Sequence, residues 1–252
     1  MRHRERRARR ALSLAPALGA LAAVALLLSG CETTAEKSAK LERAAKRQKI
    51  AQQQGLTISR TSRYVKVLGT AVVQGREGAA AVVTLRNDSP HALRHVPVSI
   101  AVKDSGGATV YSNGTPGLAT TLTSIALLPA HAKLAWVDDQ IQAKGAASVT
   151  ARVGEGAAAS GTVPDLTIAV QQLAAEGGGS TLEGAIHNGS STAQPELVIY
   201  ALARRGGRLV AAGRAVLASL DPGASTPFQV FFVGSAAGAK LEVSAPATAS
   251  AG

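Results

Sequence analysis

From about residue 60 onward apolar and polar side chains trade places at every second position, the period of a strand with one buried face. Val65 and Val67 flank Lys66. Ala81, Val83 and Leu85 alternate with Thr84 and Arg86, and Val96, Val98, Ile100 and Val102 with Ser99 and Lys103. Ser105-Gly106-Gly107 supplies a hairpin turn, so Val110 and Tyr111 begin a return strand. Further strands are predicted over Leu122 to Leu127, Leu134 to Asp138 and Ser148 to Val153, and helical periodicity does not return in this part of the chain.

The pattern then recurs. Gly78 to Ser89 aligns without a gap on Gly179 to Ser190 and places Asn87 on Asn188. Val98, Ile100 and Val102 match Val198, Tyr200 and Leu202, and Gly106-Gly107 matches Gly206-Gly207. Pro129 pairs with Pro222, and Val149 and Ala151 with Leu241 and Val243. A repeat of about 100 residues with six or seven short strands predicts an all-β chain of two tandem immunoglobulin-like β-sandwiches. The expected divisions are residues 55–153 and 165–252, with a Gly- and Ala-rich linker over 154–164.

The first 54 residues follow other rules. Six arginines and one glutamate occupy Met1 to Arg10, an apolar run extends from Ala11 to Leu28, and Leu28-Ser29-Gly30 precede Cys31, the only cysteine. A basic n-region, an apolar core and small residues before a cleavage point are the marks of an export signal over residues 1–30. The stretch resembles the bacterial lipobox. The resemblance implies recognition of Leu28, Ser29 and Gly30 by a signal peptidase and acylation of Cys31, which would anchor the mature protein to the extracytoplasmic face of the cell membrane. The other reading of the apolar run is a single membrane span, at the lower limit of length and weakened by Pro16 and Gly19. A lone exported cysteine can form no internal disulfide, which favours the acylation site. From Glu32 to Gln54 the composition is mostly Glu, Lys, Arg, Gln and Ala, a charged tether that favours helix.

Within the repeats, Arg86-Asn87-Asp88-Ser89 and His187-Asn188-Gly189-Ser190 form Asn-containing turns after a strand. Val102 to Gly107 ends a strand in a polar Gly turn, and Leu220-Asp221-Pro222-Gly223 leads another. Over roughly residues 64–153 and 165–245 these features resemble the Ig-like domains of bacterial surface lipoproteins, particularly the FxLYD type. That resemblance implies an extracellular, non-catalytic module and fixes no ligand.

Net charge is +11, unevenly placed: +5 in residues 1–31, +3 in 32–54 and +3 in 55–252. A phosphate-binding domain needs its Lys and Arg clustered on the folded part, so nucleic acid is not an expected partner. Aromatics are few, namely Tyr64, Tyr111, Trp136, Tyr200, Phe228, Phe231 and Phe232, and the cores must be built mainly of Val, Leu, Ile and Ala.

Candidate chemistry is sparse, and no cofactor is expected. His91 and His95 have the spacing of a helical metal pair, but Pro90 and Pro97 bracket them and a loop pair is the simpler reading. The sequence has neither a nucleophile elbow nor a phosphate loop. Asp138-Asp139 offers clustered carboxylates for Ca²⁺, yet neighbouring side chains on a strand point to opposite faces, and a solvated strand end fits better. Trp136 is expected in the core. Of Phe231 and Phe232 one faces in and the other out, where it can meet the other domain or a partner. The expectation is a non-enzymatic interaction or scaffold module contacting another envelope protein or the cell wall. The alternative is a small-ligand or cation carrier with its site between the two domains.

Overall fold

The computed structural model describes residues 55–176 and 179–251. The leader, the Leu28 to Cys31 stretch and the tether to Gln54 lie outside the described residues. The strands in chain order are β1 (Val65–Gln74), β2 (Ala79–Asn87), β3 (Leu93–Asp104), β4 (Thr109–Ser112), β5 (Ser124–Leu128), β6 (Lys133–Ile141), β7 (Ala146–Val153), β8 (Ala157–Ala158), β9 (Leu166–Glu176), β10 (Gly179–Asn188), β11 (Gln194–Arg205), β12 (Arg208–Leu220), β13 (Ser225–Gly234) and β14 (Lys240–Ser244). Every strand pairing is antiparallel. The chain is all-β, built as sandwiches.

In the first repeat β1-β2-β6 form one sheet, and β3 forms the other with β4, β5, β7 and the short β8. In the second, β9-β10-β13 and β12-β11-β14 take the corresponding places, and a brief β12 to β13 pairing at Ala211–Gly234 and Ala212–Val233 joins them. One difference is instructive. β12 runs unbroken along β11, whereas its counterpart in the first repeat is split into β4 and β5 by a segment holding a 3-10 turn, Thr120–Leu122. The expected strand over Leu122 to Leu127 therefore begins at Ser124. Asn113 closes the gap: its side chain accepts from Ile100 N at 2.7 Å and donates to Val98 O and Leu122 O, both at 2.8 Å. A side-chain amide supplies the donor and acceptor that a continuous strand would have offered.

Val83, Leu85, Ile100, Ile125 and Trp136 fill the first core, and Leu182, Ile186, Leu197, Ile199 and Phe228 the second. Gly184 lies opposite Phe228; a Cβ there would come within 2.5 Å of the ring and 2.7 Å of the Ala169 carbonyl, so only glycine leaves room for the aromatic.

The two repeats pack face to face. On β2 the inward residues Ala81, Val83 and Leu85 serve the first core, while Ala80 and Val82 face the second repeat together with Val137 of β6. On β11, Leu197, Ile199, Ala201 and Ala203 serve the second core, while Val198, Tyr200 and Leu202 join the first cluster. Both strands are buried on both sides and read as unbroken apolar runs.

The register corrects one alignment. Ile100 pairs with Ala151 and Val102 with Val149, whereas Ala201 pairs with Val243 and Ala203 with Leu241. The counterparts of Val98, Ile100 and Val102 are thus Ile199, Ala201 and Ala203, not Val198, Tyr200 and Leu202. A one-residue slip moves a strand's whole side-chain set to its opposite face, and the residue lost between the repeats falls at the turn after these strands. Part of the 154–164 stretch is also strand, since Ala157 and Ala158 pair with Arg94 and Leu93.

Candidate functional site

Asp138 and Asp139 sit where the repeats meet, and neither is a solvated strand end. Their side chains do diverge, as alternation on β6 requires. Asp138 points into the first sandwich, wholly buried, and accepts from the Tyr111 hydroxyl of β4 at 2.7 Å and from Gln140 N at 3.1 Å. Burial pushes its carboxyl above the ordinary range, while the Tyr111 hydroxyl, the Gln140 amide and the charge of Arg214 pull the other way. Burial and the facing carboxylate likewise raise the Tyr111 phenol.

Asp139 faces the second repeat. Its Oδ2 accepts from Arg214 N at 2.9 Å, and the Arg214 Nε stands 3.7 Å from Oδ1. Burial raises the Asp139 carboxyl, and the Arg214 amide and guanidinium oppose that rise. The guanidinium also donates to Thr121 O at 2.7 Å and to Thr121 Oγ1 at 3.2 Å, so one side chain of β12 holds two segments of the first repeat. Arg214 lies across from Tyr200 on β11, and both face the first repeat. A buried guanidinium is tolerated when several acceptors answer it, as here.

A cleft of about 140 Å³ opens beside this staple. The first repeat contributes His95, Thr121 and Ile125 to its lining, the second Glu196, Tyr200 and Thr248. His95, with φ 51°, and Glu196, with φ 47°, occupy the same position in the two copies, and both are in the left-handed region that side chains other than glycine rarely adopt. His95 is therefore part of β3, at a point where the ladder skips one pair, and not in a loop. His91 is exposed and works through its backbone, its carbonyl receiving Asn87 Nδ2 at 2.9 Å. Among the described residues, no three His, Cys, Asp or Glu side chains gather as metal ligands would. Thr248 Oγ1 is buried without a hydrogen-bond partner.

The remaining candidates resolve by alternation. Trp136 is fully buried in the first core. Phe232 points into the second core at 8% exposure, and Phe231 points out at 61%. Close to Phe231 on the outer face, Glu183 accepts from Gln172 at 2.6 Å and from Gln229 at 3.3 Å. Leu28, Ser29, Gly30 and Cys31 lie outside the described residues.

Arg214, Thr121 and Glu196 were not legible as site residues in the sequence. One signal pointed to the first: Arg214 is a lone cation within an apolar strand, Val210 to Leu217, and a charge in such a setting needs a buried partner.

No protein-family model and no curated protein matches the chain. Among solved structures, the transglutaminase of red sea bream is similar over 88% of this chain at 14% identity and a TM-score of 0.26, a likeness too slight to bear on fold or chemistry. The chain spans 33% of the length of that protein.

Proposed function

We propose that this chain is a lipid-anchored extracytoplasmic protein acting as a non-enzymatic interaction or scaffold module of the cell envelope. The lipobox-like Leu28 to Cys31 supports the anchor, and the repeated Asn turns support kinship with the FxLYD-type Ig-like domains of surface lipoproteins. The observation that carries the interaction role is Phe231. A large ring, mostly exposed and lying near the hydrogen-bonded polar cluster of Gln172, Glu183 and Gln229, has the make-up of an interface anchor within a polar rim. Crosslinking in intact cells tests it: Phe231→Ser should weaken capture of the envelope partner and leave the melting temperature unchanged, and undiminished capture would remove Phe231 from the interface. For the anchor, Cys31→Ser should release the protein from the membrane fraction, and continued retention in the detergent phase would refute acylation.

A second reading, a small-ligand carrier, draws on the cleft between the repeats, where His95 and Glu196 are both held in strained backbone. Native mass spectrometry of protein taken from the envelope checks it. A bound small molecule present in the wild type and lost in Glu196→Leu would favour the carrier.

A further inference from the structure

Large exposed apolar side chains are unevenly distributed. Of the six among the described residues, Tyr64, Val67 and Leu68 fall within five consecutive positions. They lie at the start of β1, an edge strand. A register shift between Val67 and Gly69 pushes Leu68 out of the ladder, as a bulge does when it re-aims a side chain. The Arg63 guanidinium rests 4.7 Å from the centre of the Tyr64 ring.

Cations border this strip. Lys66 stands opposite Arg86, and Arg86 opposite Lys133, so three basic residues form a row across β1, β2 and β6. Like charges directly opposite one another on a sheet destabilise it, and the row is a cost to the fold itself. Asp88 answers Arg86, with Oδ1 at 2.5 Å from Nε, and Glu155 answers Arg60 at 3.5 Å. The local balance of Arg60, Arg63, Lys66, Arg86 and Lys133 against these two carboxylates stays positive.

We propose that this end of the first sandwich docks on a bilayer surface rich in anionic phospholipid headgroups. Lys66, Arg86 and Lys133 face the phosphates, while Tyr64 and the bulged Leu68 at the strand edge enter the interfacial layer, where an aromatic ring with a polar tip is favoured; Val67, paired with Leu85, stays on the other face of the sheet. The docking rests on the lipid-anchor reading for its biological setting, because a chain tethered at Cys31 keeps its first strand close to the bilayer. The binding itself needs no acyl chain.

That separation makes the test clean. Residues 55–252 hold both cores and every strand of the described residues, and this fragment carries neither acyl group nor basic tether. It should cosediment with vesicles of phosphatidylglycerol and phosphatidylcholine in equal parts, and not with phosphatidylcholine alone. Added salt should release it. Lys66→Gln with Lys133→Gln should weaken partitioning about twenty-five-fold, at roughly a fivefold loss for each charge. Leu68→Ser should weaken it on the same vesicles, with an unchanged melting curve confirming that each variant is folded. Failure to bind the anionic vesicles, equal binding to both lipids, or indifference to the lysine changes would overturn the proposal. So would a fragment that dimerises through β1 and stays off vesicles. Loss of acylation in the intact protein would refute the anchor alone and leave these measurements standing.

Discussion

Asn87 and Asn188 make the same contact one repeat apart. Asn87 Nδ2 donates to the carbonyls of His91, Leu128 and Pro129 at 2.9, 3.2 and 2.9 Å, and Asn188 Nδ2 to those of Thr192, Leu220 and Asp221 at 2.9, 3.1 and 3.2 Å. Each Oδ1 accepts from the backbone N–H of a serine two residues on, Ser89 or Ser190. Both asparagines are wholly buried, and each ties the turn after one strand to the end of another about forty residues away or less. Alanine at either position leaves three carbonyls short of a donor and should cost about 2–4 kcal/mol in urea denaturation. Aspartate should cost more, because it turns a donor into an anion facing those carbonyls. A loss below about 0.5 kcal/mol would show that water replaces the amide.

The contact of Arg214 with Asp139 should behave as a pair. Replacing Arg214 by Met strands a buried carboxylate and is expected to cost about 3–5 kcal/mol, and Asp139→Asn alone should also destabilise. Made together, the two changes should cost clearly less than their sum, with a coupling of about 1.5 kcal/mol or more by double-mutant cycle. Simple additivity would assign the guanidinium's role to Thr121.

Asp138 sets a pH dependence whose sign follows from burial. Its folded carboxyl titrates above the unfolded one, so the folded state holds the proton more tightly. This group's contribution is most favourable below the unfolded value and declines as pH rises from there to the raised folded value, with no further change above. Asp138→Asn should flatten part of that limb in melting temperature against pH, and Asp139 accounts for the rest. Tyr111→Phe removes a donor to the carboxylate and should carry the limb to higher pH. A limb that moves to lower pH in Tyr111→Phe would contradict this assignment.

Separated fragments should report what the face between the repeats contributes. Residues 55–153 and 165–252 each keep an inner core, so each is expected to melt cooperatively in circular dichroism. Each should do so at a lower temperature than the joined chain, because Ala80, Val82 and Val137 or Val198, Tyr200 and Leu202 become exposed. Mixing the two should restore part of the loss. If neither melts cooperatively, the two sandwiches are one folding unit.

Several strand positions and their inward faces were legible where one side meets water, although the strand expected from Leu122 begins at Ser124 and the exposed Ala157–Ala158 strand fell in the expected linker. The alternation around Val65, Val98 to Val102 and Phe231–Phe232 predicts the observed faces, and Trp136 lies in the core as expected. Legibility failed where a strand has no solvent side. Leu197 to Ala203 is apolar throughout, so nothing in that run marks which residues serve which core, and matching by residue type slipped by one position. The partner of Asp139 was hidden for another reason. Arg214 is distant in sequence and on the other repeat, and only the packing of β6 against β12 brings the two charges together.

The packing of β2 and β6 on β11 and β12 is a head-to-tail association, since it joins two different faces of one repeated unit. Such a contact does not close on itself; a third unit could add at either end, and a fourth after it, as in a filament. Side-chain chemistry ends the series here. Where the first repeat offers Val82 and Val137, the second carries Glu183 and Gln229, hydrogen-bonded to each other. Where the second offers Val198, Tyr200 and Leu202, the first carries Pro97, Ser99 and Ala101. Neither terminal face therefore repeats the apolar surface that joins the two units, and on the second the Phe231 ring stays exposed for a partner of another kind.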